Sequence, residues 1–140
     1  MCFCVFVFFG CANIVPPNGG EKDTSPPVVA LARPNNNSTF FEGNSIFLEF
    51  NEYVQLQNAG MIRISPSCPE GLKITQKGKQ LKIEILCQLD KNTTYTINFG
   101  RSIVDLNEGN SLQNFKYVFS TGKHIDSLSV GGLINQLYFK

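Results

Sequence analysis

The chain has 140 residues, enough for one ordinary domain and too few for two comfortable ones. Apolar residues make up 42% of it, so a packed core can form. Its 12 basic and 11 acidic residues are interspersed and leave a net charge of +1, which excludes the concentrated cationic face that a nucleic-acid partner requires.

The first element is an apolar run, Cys2 to Phe9, followed by Gly10-Cys11 and a polar segment rich in Pro, Asn and Gly. A helix needs roughly 20 residues to cross a bilayer, whereas the apolar stretch of a signal peptide is only about 7–15 long. The run therefore looks like a bacterial lipobox. On that reading residues 1–10 are cut away and the Cys11 sulfur takes a diacylglycerol. A further acyl chain on the new N-terminus makes the anchor stable, since one buried chain holds only marginally. Two features depart from the pattern. No Lys or Arg precedes the run, and Phe8-Phe9 stands where lipoboxes usually carry Leu and a small residue. A basic segment lying upstream of Met1 would account for the first. The plain alternative is an N-terminal β-strand. Residues 11–27, with paired prolines and Gly19-Gly20, read as a flexible tether.

Alternation begins at residue 28. "VVALAR" (Val28 to Arg33) predicts a first strand, stopped by Pro34 and an Asn-rich turn. In "NSIFLEF", Ile46, Leu48 and Phe50 fall on one face and Phe47 and Glu49 on the other. "MIRIS" predicts a short strand ended by Pro66. Lys77-Gly78 between "LKITQ" and "QLKIEIL" predicts a two-residue hairpin turn, with Gln76 opposite Lys79. The same register sets Cys68 opposite Cys87, unless Pro69 and Gly71 break the ladder first. Tyr95, Ile97 and Phe99 share a face in the next strand, and Phe115, Tyr117 and Phe119 in the last. No segment sustains the i, i+3, i+4, i+7 spacing of a helix. Short strands at even spacing predict an antiparallel β-sandwich over residues 28–122. Residues 123–140 alternate again, as an edge strand or, preferably, the first strand of a further domain.

Several phrases in order, "SPPVVALARPNNNS", "IFLEFNEYV", "LDKNTTYTINFG", "IVDLNEGN" and "YVFSTG", resemble the bacterial Ig-like domain of S-layer proteins and cell-envelope lipoproteins. The most specific parts are Leu89 with Tyr95, and Asp105 with Gly109 and Asn110. The resemblance implies an all-β, Ig-like sandwich of about seven strands with a structural or adhesive role and no catalytic residues. The family usually continues into further domains, so the stop at Lys140 implies a fragment. Tyr95 is placed for a tyrosine corner, its ring in the core and its hydroxyl bonded back to the preceding connection; the alternative is an ordinary β-former.

The remaining candidates are few. Asp105 and Asn107 could contribute to a loose calcium loop, although the EF-hand pattern fails because Gly109, Asn110 and Lys116 stand at its fifth, sixth and twelfth positions. A plain turn is the simpler account. Cys68 and Cys87 are a candidate disulfide, the alternative being two small buried apolar residues. With one distant histidine, His124, they make no zinc set, and no metal is expected. Ser102 and Ser120 lack a nucleophile motif, and Glu49 with Glu52 reads as a solvated strand end, so no enzyme is expected. The expected protein is a lipid-anchored envelope spacer, placed at the outer membrane. Its only covalent group is the lipid at Cys11. Its partners are the membrane and, beyond it, envelope proteins or glycans. The competing class is a carbohydrate- or protein-binding module, which Phe40, Phe41 and Phe47 exposed on one face would favour. The third is an accessory domain of a larger envelope protein.

Overall fold

The computed structural model describes residues 10–12, 14 and 19–126. The apolar run at 1–9 and the alternating tail at 127–140 lie outside the described residues. Among the described residues ten strands follow in order: β1 (Val29–Arg33), β2 (Ser45–Phe50), β3 (Val54–Leu56), β4 (Arg63–Ser65), β5 (Leu72–Lys77), β6 (Gln80–Ile85), β7 (Thr94–Asn98), β8 (Ile103–Asp105), β9 (Ser111–Leu112) and β10 (Lys116–Ser120). A short 3-10 turn spans Ala59–Met61. Among the described residues, no helix is long and apolar enough to cross a membrane.

Two sheets face each other, β1-β2-β6-β5 and β10-β7-β4, with all pairs antiparallel. These seven strands are the expected sandwich. The three others form a separate small sheet, β3-β8-β9. Sequence periodicity misses that sheet because its strands are two or three residues long and β8 is buried at every position.

The faces follow the alternation. Ile46, Leu48 and Phe50 of β2 and Leu81, Ile83 and Ile85 of β6 point inward and are nearly inaccessible. Ile97 of β7 and Tyr117 and Phe119 of β10 meet them from the other sheet. Each such side chain contributes about 1.5–3 kcal/mol when fully buried, so slipping a strand by one residue would forfeit several such terms at once. Phe119 sits at the centre of an aromatic cluster, with ring centroids 4.2 Å from Phe41, 5.4 Å from Tyr95 and 6.0 Å from Tyr117.

The β5–β6 hairpin corrects the expected register. The turn is Gly78-Lys79, with Lys77 opposite Gln80 and Leu72 opposite Ile85. Gly78 takes a left-handed φ of 60°, which places the glycine first in the turn rather than second.

The first strand belongs to both sheets. β1 pairs with β2, with a register shift between Val29 and Leu31, and ends at Arg33. Beyond Pro34 the chain crosses to the other sheet, and residues 36–41 lie alongside β10, with a parallel bridge between Ser38 and Phe119. The Tyr117 hydroxyl holds this crossing by donating to the Pro34 carbonyl at 2.6 Å. Near the end of β10, Gly122 passes so close to Asn92 that an added Cβ would lie 2.7 Å from the Asn92 Cα, so only glycine fits.

Burial pushes the Tyr117 phenol up to about 12 from an ordinary 10.0. A raised folded value means the protonated form is favoured by folding. Its stabilising effect is complete below pH 10 and is lost as pH rises towards 12. Denaturant titrations across pH 8–12 (roughly the phenol range) are expected to show stability falling at the alkaline end in the native protein. In Tyr117→Phe that fall is shallower, and equal slopes in the two proteins would contradict the assignment.

Candidate functional site

The chain reaches the domain at one pole. Cys11 is exposed and carries a free thiol. The tether is fastened well before residue 28: the Asn110 side-chain amide donates to the Asp23 carbonyl at 2.8 Å, and Pro27 is buried. Val28 donates to Asn51 Oδ1 at 2.7 Å, and Asn51 returns a bond to the Val28 carbonyl at 3.0 Å. Asn51 directly follows β2, beside the Gly78-Lys79 turn, so this is the N-terminal pole.

Asn110 belongs to the loop that Asp105 organises. Asp105 is 1% accessible, and its Oδ1 accepts the N–H groups of Glu108 at 2.6 Å and Gly109 at 2.9 Å. Its Oδ2 accepts the Asn110 N–H at 2.9 Å. The carboxylate is thus committed to holding the turn, and Asn107 is exposed outside it. The geometry gives a physical account of the Asp105, Gly109 and Asn110 pattern that needs no calcium: one acid satisfies three successive backbone donors, with Gly109 at a φ of 78°. Glu52 lies in the same acidic neighbourhood. Burial raises its pKa, and Asp105, Asp23 and Glu108 raise it further.

For Asp105 burial pushes the pKa up, but the three backbone donors outweigh it and hold the carboxyl below its usual 3.8. A depressed folded value gives stability that is complete above the ordinary range and is lost as pH falls through the folded value. Asp105→Asn, which cannot accept all three bonds, is expected to be less stable at neutral pH. It should also show a flatter loss of stability below pH 3.8. Acid-unfolding curves running parallel in the two proteins would contradict this.

The opposite pole carries the other candidates. Cys68 and Cys87 are joined in a disulfide with Cα atoms 5.6 Å apart. The hairpin register does not bring them together, since the ladder stops at Leu72. Instead Gly71, at a φ of 80°, turns the chain, donating to the Cys68 carbonyl and accepting from the Leu86 N–H. Glu70 completes a group whose ligand atoms lie within 4.8 Å, but with the sulfurs bonded to each other only its carboxylate remains as a donor, short of a metal set. Tyr95 is buried beside Phe119, and its hydroxyl accepts the Asp90 N–H at 2.9 Å, the geometry of a tyrosine corner. The disulfide closes a loop with a sequence separation of 19, worth about 3 kcal/mol. Alkylation before reduction should leave Cys68 and Cys87 unlabelled, and reduction should lower the denaturant midpoint; labelling of both without reduction would refute the bond.

The three phenylalanines do not share a face. Phe41 is in the core. Phe40, 64% exposed at a φ of 52°, stands at the C-terminal pole, where its N–H meets the Gly122 carbonyl. Phe47, 49% exposed, lies on the outer face of the four-stranded sheet, with Lys82 Nζ 5.9 Å from its ring. The serines are occupied by backbone: Ser102 donates to the Asn58 carbonyl and Ser120 accepts the Gly122 N–H. His124 is exposed.

Strands β1-β2-β6-β5 facing β10-β7-β4 reproduce the A-B-E-D and G-F-C arrangement of an Ig sandwich, with the tyrosine corner on the strand where that fold carries it. Both poles of the molecule are fastened by specific links. The profile of the bacterial Ig-like domain matches residues 23–121, and the chain belongs to that family. The match starts at Asp23, the residue that Asn110 holds. Among solved structures, the N-terminal part of the bacterial S-layer protein SbsC is similar, with a TM-score of 0.46 and 15% identity over 69% of this chain. The likeness spans 24% of that chain, so this protein matches about a quarter of its length. Comparison with curated proteins gave no match.

Proposed function

We propose that this is a cell-envelope lipoprotein whose Ig-like domain acts as a spacer. Cys11 carries the lipid, the segment after it links the lipid to the domain, and the sandwich sets the stand-off from the membrane, at the outer membrane in a Gram-negative cell. The observation that carries the reading is the placement of the two chain ends. Asp23 to Val28 are fastened beside Asn51 and Asn110. The chain leaves at the other pole, where Asp126 donates to Thr94 Oγ1 at the start of β7. A domain with its ends at opposite poles adds its full length to a tether, whereas adjacent ends would add almost none. The lipobox-like segment at Phe8 to Cys11 supports the anchor.

A docking role is the second reading, favoured by one observation. Leu31, Arg33, Pro34, Phe47 and Glu49 line a shallow groove of about 490 Å³ on the outer sheet face. An envelope protein or a glycan is the class of partner such a face would take.

The test is the intact mass of the chain, with a basic segment added ahead of Met1, extracted from Gram-negative cells. A species beginning at Cys11 with lipid mass added is expected, and Cys11→Ser should abolish both cleavage and membrane association. A soluble chain still beginning at Met1 would overturn the anchor.

A further inference from the structure

We propose that residues 36–41 and β10 form a mechanical clamp that resists tension applied between the two ends of the chain. Its use under load rests on the spacer reading; the clamp itself is a property of the fold.

The direction of pull follows from the poles. Residues 41–44 sit at the end of β10, where Phe41 donates to the Ser120 carbonyl, and lead directly into the start of β2. β2 then runs the length of the sheet to Phe50, and Asn51 beyond it holds Val28. Tension therefore draws Val28 and β1 out of the N-terminal pole while it draws Gly122 out of the C-terminal pole. Residues 36–41 follow β1, and β10 precedes Gly122. Because these two segments are parallel, with Ser38 bridged to Phe119, the pull slides them past each other along their own axes.

Bonds crossing between such segments are strained together rather than in succession. Six connect them. Asn36 Nδ2 donates to the Lys116 carbonyl at 3.1 Å, and Asn36 Oδ1 accepts the Val118 N–H at 2.8 Å. Asn37 donates to the Val118 carbonyl at 2.7 Å, and Ser120 donates to the Ser38 carbonyl at 2.9 Å. Phe41 and Phe40 donate to the carbonyls of Ser120 and Gly122, each at 2.9 Å. The Tyr117 bond to Pro34, at 2.6 Å, ties the crossing itself to β10. Adjacent antiparallel strands joined by a hairpin and pulled at their open end would instead unzip bond by bond, each rupture costing little. The antiparallel β1–β2 pairing is loaded from the same end ahead of the clamp, and β3 to β7 lie beyond it.

Asn36 is the natural target because it supplies two of the six bonds and is partly exposed on a loop. The full chain is stretched between handles on its two ends in a single-molecule force measurement. Asn36→Ala is expected to lower the rupture force by about a third, on equal sharing among the bonds. Ile83→Val, buried on β6 in the opposite sheet, is expected to lower the denaturant midpoint and leave the rupture force unchanged.

The unsubstituted chain supplies a second reading. Reducing the Cys68–Cys87 bond should add about 60 Å of extension after rupture, the span of the released loop, without changing the rupture force. An unchanged force in Asn36→Ala, an equal loss in Ile83→Val, or a force that falls on reduction would each overturn the clamp. None of these outcomes depends on the lipid, so failure of the anchor and failure of the clamp are separable.

Discussion

Every other feature of this molecule depends on the interleaving of two sheets through one core. Ile46, Leu48 and Phe50 and their β6 neighbours enter it from one side, and Ile97, Tyr117 and Phe119 from the other. Strand alternation permits this only if each strand keeps its phase. The core thereby fixes which backbone edges remain open and where each loop must turn. The poles are consequences of it: strands that cross the core end to end leave their connections at two opposite ends.

Each pole is then pinned by a different chemistry. At the N-terminal pole a buried carboxylate gathers three N–H groups, and the Asn110 of that loop catches the incoming tether at Asp23. At the C-terminal pole a disulfide and a tyrosine hydroxyl secure loops that no ladder reaches. Small sandwiches have few buried residues per loop, so specific polar or covalent links carry what packing cannot. The crossing strand joins the poles, since its first half belongs to one sheet and its second half to the other.

That geometry gives the spacer reading physical content. A tether alone has an end-to-end distance that grows only with the square root of its length. A folded domain held by both ends adds a fixed length and resists extension, and here the resisting bonds lie where the chain ends apply the load. The outer groove near Phe47 lies on the flank, but its Leu31, Arg33 and Pro34 belong to the strand and crossing that the load acts on, so docking and spacing share those residues.

The faces of β2, β7 and β10 were legible in the sequence because a period of two shows directly which side chains are buried. Tyr95 and the Asp105 loop were legible as patterns, through the family resemblance they carry. The hairpin register was not, because Lys77-Gly78 and Gly78-Lys79 are both acceptable turns locally; the pairing of Leu81 and Ile83 into the core selects between them. Nor were β3, β8 and β9, too short to show a period. Phe40 and Phe41 look alike in the sequence, yet a positive φ at Phe40 sends one ring to solvent and the other onto Phe119. By itself the sequence determined an all-β sandwich and the inward face of its long strands, because alternation is a local property. The tertiary structure alone decided the seam between residues 36–41 and β10, which arises from contacts about 80 residues apart, and the opposition of the chain ends, which rests on contacts 23 to 87 residues apart, because no local pattern encodes either.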